Sequence, residues 1–160
     1  MKEYVNMQGR LLLQLSNRDG QIVQQQRVKN RIVTTGRMLV AEHFTGQSAG
    51  DPPEPVSHMA VGEGGTAATD ADMALETPRG DRNPITGITT ETFNDGGIAR
   101  VRVTLQTVFD FGQVNNPAVP LREAGIFTDV TGSVMYNRVV FEPVTKTDSF
   151  RLTLFWEIIF

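Results

Sequence analysis

The chain has 160 residues, of which 39% are hydrophobic and 21% charged, and a net charge of −3 at pH 7. That length suits one domain able to bury roughly two thirds of its unfolded surface, and the acidic balance argues against a nucleic-acid partner, because phosphate contacts by Lys and Arg supply most of such affinity. Cysteine is absent, so a disulfide framework and a thiolate metal site are excluded.

No apolar run reaches the ~20 residues of a bilayer span, and Met1 to Arg10 lacks the apolar core of a signal peptide. The expectation is a protein with no membrane partner, made and folded in a cytoplasm. Fifteen glycines and eight prolines favour many strands and turns over long helices.

Arg10 to Leu15 and Gln21 to Val28 flank Asn17-Arg18-Asp19-Gly20 and read as a hairpin, with Asp19-Gly20 supplying the turn. Its arms are polar and glutamine-rich, so residues 1–30 are expected to project as an arm from a body spanning 31–160. Met38, Leu39, Ala41, His43 and Phe44 follow at helical spacing, with Thr34 or Thr35 as cap and Gly46 as stop. The stretch 47–56 is a proline-rich loop. His58 to Gly62 is a short strand running into Gly62-Glu63-Gly64-Gly65-Thr66, and Thr69 to Glu76 reads as a helical turn capped by Thr69 or Asp70.

Pro78 to Gly97 is polar and turn-rich, with a short strand at Ile88 to Phe93 in an otherwise mobile stretch. Strands then dominate: Ile98 to Phe111, with Val101, Val103, Leu105 and Phe109 on one face, Leu121 to Thr128, Val134 to Phe141, and a last strand from Phe150. There Phe150, Leu152, Leu154, Trp156, Ile158 and Phe160 occupy every second position and form a core face. The opposite face is mostly polar but carries Phe155 and Ile159, which are expected to cover a second core or a partner. The predicted fold is all-β, with sandwich-like antiparallel sheets, one short helix and a projecting N-terminal hairpin.

Chemistry is sparse in this pattern. His43 and His58 are the only histidines and lack zinc-hydrolase spacing. The Gly62 to Thr66 run has no following Lys-Ser/Thr, so a turn explains it better than a phosphate cradle. Asp70, Asp72 and Glu76 fall short of a calcium loop and are better explained by the dipole of a short helix. Arg79-Gly80-Asp81 reads as a turn, and no serine stands in G-x-S-x-G. The expectation is a protein that is not an enzyme and uses no cofactor, catalytic residue or metal.

His58 to Gly65 resembles the x-h-h-h-G-x-G-G strand and turn near the start of the tail-fibre and tail-collar attachment domains of phage virions. A small-residue stretch and a leucine follow at Ala67 to Leu75, as in those domains. Leu121-Arg122-Glu123-Ala124-Gly125-Ile126-Phe127 is similar to their h-R/T-E-h-G-h-F strand, and Gly132 to Tyr136 and Phe141 to Lys146, of the form F-x-P-V-x-K, continue the order. The resemblance covers about Thr34 to Phe160. It implies a structural virion protein of a tailed phage, located in tail, collar or baseplate. Its partners would be itself, as a trimer or ring of sixfold symmetry or a divisor, and other phage tail, fibre or neck proteins.

In fibres this kind of domain leads into a shaft; here the last strand reaches Phe160, which favours an adaptor or collar subunit. Leu11, Leu13, Ile22, Val23, Phe155 and Ile159 are the expected interface. Arg122 and Glu123 read as surface strand residues, worth ~0–1 kcal/mol as an exposed pair. The alternative is a receptor- or carbohydrate-binding module, which would need exposed aromatics; Trp156 falls on the core face, and Tyr4 and Tyr136 are the only tyrosines.

Overall fold

The computed structural model describes residues 7–47, 53–130 and 133–160. Its elements are β1 (Gln8–Ser16), β2 (Ile22–Lys29), β3 (Arg31–Ile32), α1 (Thr34–Thr45), β4 (His58–Gly62), β5 (Pro78–Pro84), β6 (Gly87–Asp95), β7 (Ile98–Phe109), β8 (Leu121–Phe127), β9 (Met135–Val144) and β10 (Arg151–Ile159). They form two antiparallel five-stranded sheets, ordered β2-β1-β10-β7-β6 and β3-β9-β8-β4-β5. The fold is all-β and sandwich-like with one short helix.

β10 is the middle strand of the first sheet because its alternation matches that of both neighbours. Trp156 lies opposite Leu11 on β1 and Leu105 on β7, and Leu154 opposite Leu13. Leu152, Leu154 and Trp156 are fully buried, as are Leu11 and Leu13. Burying one such side chain is worth ~1.5–3 kcal/mol, so this face supplies much of the driving force for the sandwich.

The same register corrects the expected arm. β1 pairs with β10 along its whole length, and Leu11, Leu13 and Leu15 share one core with residues of both sheets. The described part of the N-terminal hairpin, 7–29, is therefore packed into the body rather than projecting from it. The polar arm is β2 alone, at the sheet edge. Gln26 binds the Glu142 backbone on β9 in both senses, donating at 2.9 Å and accepting at 3.0 Å, which ties the two sheets together on that side.

The hairpin that does project is β6–β7. β10 covers β7 only from Arg102 to Phe109, with Phe160 and Val101 exchanging backbone bonds beyond it. Ile98 to Arg100 pair with β6 alone. The hairpin turns at Gly96-Gly97, both at positive φ, as a two-residue connection of this twist requires. The short strand expected at Ile88 to Phe93 lies within β6, and the rest of the stretch, expected as turns, adds β5 and lengthens β6. Cross-strand pairs hold the polar β6 in place: Arg102 to Glu91 at 2.8 Å and Arg100 to Asp95 at 3.0 Å.

In the second sheet β8 is buried on both faces, Arg122 excepted. Ala124 and Ile126 face the main core. Phe127 packs with Val33, Ala60, Leu75 and Met135 in a smaller core under the 63–77 segment. The capping position of α1 is Val33, which offers no side-chain bond, rather than Thr34 or Thr35. Thr35 instead donates its hydroxyl to the Met135 carbonyl at 2.7 Å. The helix stops at Gly46 in the left-handed conformation, as expected.

Candidate functional site

The densest polar constellation lies where β8 meets the 63–77 segment. Glu123 is completely buried. Its carboxylate accepts the backbone N–H groups of Gly64 (3.0 Å), Glu76 (3.0 Å) and Thr77 (2.7 Å), and the guanidinium Nε of Arg138 on β9 (2.8 Å). Arg138 also donates to Asp72 at 2.9 Å and Glu76 at 3.4 Å. A buried charge is tolerated only when paired and fully hydrogen-bonded, and this site meets that condition. The surface-pair expectation for Arg122 and Glu123 is corrected: Arg122 is exposed, and Glu123 is the internal anchor of a loop.

The neighbouring acids belong to the same anchor. Burial raises the Asp72 carboxyl, but bonds from the Thr69 N–H and hydroxyl and from Arg138 outweigh it and hold the group below the usual range. Glu76 is lowered by the N–H and hydroxyl of Thr66. Asp70 pairs with Arg31 at 2.9 Å. Residues 69–76 form a turn, not the expected helix, so the carboxylates are explained by these partners and not by a dipole.

The glycine run serves Glu123. A Cβ at Gly62 would lie 2.5 Å, and one at Gly64 2.6 Å, from Glu123 Oε1. Only bare backbone fits there, so the run lets the chain close over a carboxylate of its own.

A second internal anchor is Lys146, also completely buried. Its ammonium donates to the carbonyls of Asp110 (2.9 Å) and Thr147 (3.1 Å) and to Asn115 Oδ1 (2.8 Å), pinning the 110–116 turn to the approach of β10. Burial pushes its pKa down to about 8, against the pull of Asp110 and Asp148.

The other sequence candidates are dispersed. His43 donates to the Glu54 carbonyl at 3.1 Å, and His58 Nδ1 lies 2.7 Å from the Ser57 hydroxyl. Arg79 sits in β5, not on a loop, and its guanidinium is taken up by Glu63 and the Val119 carbonyl. Among the described residues no group of three or more His, Asp or Glu could hold a metal ion, and no helix is long and apolar enough to cross a membrane.

The expected interface residues separate into two groups. Leu11 and Leu13 are core, because the leucines of β1 alternate inward, and they are corrected as interface candidates. Ile22 and Val23 are about half exposed at the start of β2, at 53% and 51%. Phe155 and Ile159 are half-buried on the outer face of the first sheet. Trp156 and Tyr136 are buried and Tyr4 lies outside the described residues. An apolar cleft of about 280 Å³ separates α1 from the ends of β7 and β10, lined by Leu39, Val40, Val103, Ile158 and Phe160. A polar cleft of about 390 Å³ lies beside Arg10, Lys29, Arg31 and Arg37.

Sequence reasoning missed Glu123, Arg138 and Lys146 as buried charges. The signal for Glu123 was its place in a strand that is apolar at every position but its own and Arg122's, two residues from Leu121 and four from Phe127. Searches of protein-family models, curated proteins and solved structures each found no match to this chain.

Proposed function

We propose that this protein is a structural component of a tailed-phage virion, an adaptor in tail, collar or baseplate that assembles with itself and joins neighbouring tail or fibre components without catalysing a reaction. The observation that carries the reading is how the resembling segments meet. His58 to Gly65, Leu121 to Phe127 and Phe141 to Lys146 fall on or beside β4, β8 and β9, which are neighbours in one sheet. The glutamate of the second segment holds the glycine turn of the first. The motif therefore reads as one mechanical unit, a loop clamped to a sheet by a buried ion pair.

Its polar groups are consumed internally, which favours a scaffold over a reaction centre. Association would draw on apolar surface and open strand edges. The test is to raise antibody against the purified protein and label intact particles from the source that encodes it. Decoration of neck, tail or baseplate is the expected result; particles that lack the protein would defeat the proposal.

A further inference from the structure

We infer that the polar cleft at the crossing from β2 to β3 is a docking site for an acidic peptide segment of a partner protein, held through its side-chain carboxylates. The inference rests on the proposed adaptor role and names the chemistry that one of its contacts recognises.

The cleft, of about 390 Å³, lies where the chain leaves the first sheet at Lys29 and enters the second at Arg31. Four elements each bring one cation to its wall: Arg10 from β1, Lys29 from β2, Arg31 from β3 and Arg37 from α1. No carboxylate lines it. Two acids reach these cations from outside the wall, Glu157 on Arg10 and Asp70 on Arg31. Four cations less two acids leave a surplus of two positive charges, on a chain whose net charge is −3. The surplus sits at Lys29 and Arg37, both exposed, which form no ion pair among the described residues. Arg37 gives one long bond, from Nε to the Ile32 carbonyl at 3.4 Å. The paired arginines keep donors in reserve, because a guanidinium carries N–H groups on three nitrogens. Glu157 takes only Nε of Arg10, and Asp70 takes Nε and Nη2 of Arg31.

The fold gains nothing from this convergence. Arg10 lies directly opposite Lys29, and like charges so placed destabilise a sheet. The wall also holds Asn30, whose carboxamide has both polar atoms buried without a partner among the described residues. It packs so closely on Gly9 that a Cβ there would lie 2.0 Å from its Oδ1. Buried polar groups are normally satisfied, and local rules broken without structural return are expected at functional surfaces. The charge selects an oxyanion, and arginine forks match carboxylate and phosphate alike. A nucleic acid would be repelled by the acidic chain as a whole. A lone anion would fill a small part of the cleft. A short acidic peptide fills more of it and sets successive carboxylates against cations of both sheets and of α1.

The test is fluorescence anisotropy of labelled hexaglutamate titrated with the full chain, with hexaglutamine, inorganic phosphate and oligothymidylate as competitors. Wild type is expected to bind hexaglutamate, more tightly at low than at physiological salt, and hexaglutamine is expected not to compete. Arg37→Glu and Lys29→Glu should each weaken binding by about tenfold or more. Arg122→Glu makes the same change in net charge beside a different cleft and should leave binding nearly unchanged at physiological salt, where distant charges are screened. Lys29→Glu decides the matter should Arg37→Glu lose its circular dichroism. Wild type that ignores hexaglutamate, or an Arg122→Glu loss equal to that of the cleft variants, overturns the site. Phosphate or oligothymidylate that displaces hexaglutamate at lower concentration than unlabelled hexaglutamate does overturns the peptide and assigns the cleft to phosphate. The virion reading fails separately, on particles that lack the protein; particles that contain it, beside a purified chain blind to hexaglutamate, sink the cleft alone.

Discussion

Arg138 donates from Nε to Glu123 Oε2 at 2.8 Å, with its own side chain 3% exposed and that of Glu123 0%. No other ion pair among the described residues is so shielded on both sides. Removing one partner leaves an uncompensated buried charge, which costs ~3–5 kcal/mol. Glu123→Ala is therefore expected to lower the unfolding free energy measured in urea by that amount, and Arg138→Met nearly as much. The double variant should cost clearly less than the sum, because neither charge is then stranded. Strict additivity in the double-mutant cycle would mean that the two groups do not act together.

The glycine run can be tested by volume alone. Gly64 is not at positive φ, so alanine is barred only by what its Cβ would meet, Glu76 Cβ at 2.4 Å and Glu123 Oε1 at 2.6 Å. Overpacking of this kind costs ~1–3 kcal/mol. Gly112 has no neighbour within 4 Å and no positive φ, so Gly112→Ala should fall within about 0.5 kcal/mol of wild type. Equal stability of the two variants in urea would remove the role assigned to the run.

These buried charges mark where sequence reading stopped. β10 was legible because its period of two runs unbroken across eleven positions, and such alternation fixes both strand and core face. β6 was legible only in its middle, Ile88 to Phe93; its ends, Gly87 and Asp95, offer no apolar signal and are strand because β7 beside them is long and provides nine partners. Leu11 and Leu13 were misplaced because the glutamines of β2 drew the whole hairpin toward solvent, whereas only β2 is an edge. Glu123 looked like surface because carboxylates usually are; its four donors come from residues up to 59 positions distant, a convergence no local pattern displays.

Lys146 gives a pH dependence of definite sign. Its folded pKa is pushed down to about 8 from an ordinary 10.5. Between these values the unfolded chain binds more protons than the folded one, so this group's contribution to stability rises with pH. Below pH 8 the ammonium is charged in both states, and the cost of burying it is carried in full. Lys146→Met keeps the length of the stem without the charge. The stability of wild type minus that of the variant should climb between about pH 8 and 10.5 by on the order of 3 kcal/mol. Other lysines cancel in the difference. A flat or falling difference in denaturant titrations would mean that the carbonyl cage fully offsets the burial.

The last strand sets a rank order of substitutions. Trp156 is 0% exposed and Phe160 is 40% exposed, although both face the same side of β10. Truncating a fully buried tryptophan costs ~3–5 kcal/mol, so Trp156→Ala should come close to unfolding the domain. Trp156→Phe removes volume but also removes an indole N–H that has no partner in the core; the two effects oppose, and the loss should be well below that of alanine. Phe160→Ala keeps the backbone pairing with Val101 and gives up only a half-wet ring, for ~1 kcal/mol or less. Deleting 156–160 removes the partners of Leu105 and Leu11 in one step and should abolish cooperative melting. Calorimetry that ranked Phe160→Ala beside Trp156→Ala would show that the core extends past the end of β10, into the cleft beside α1.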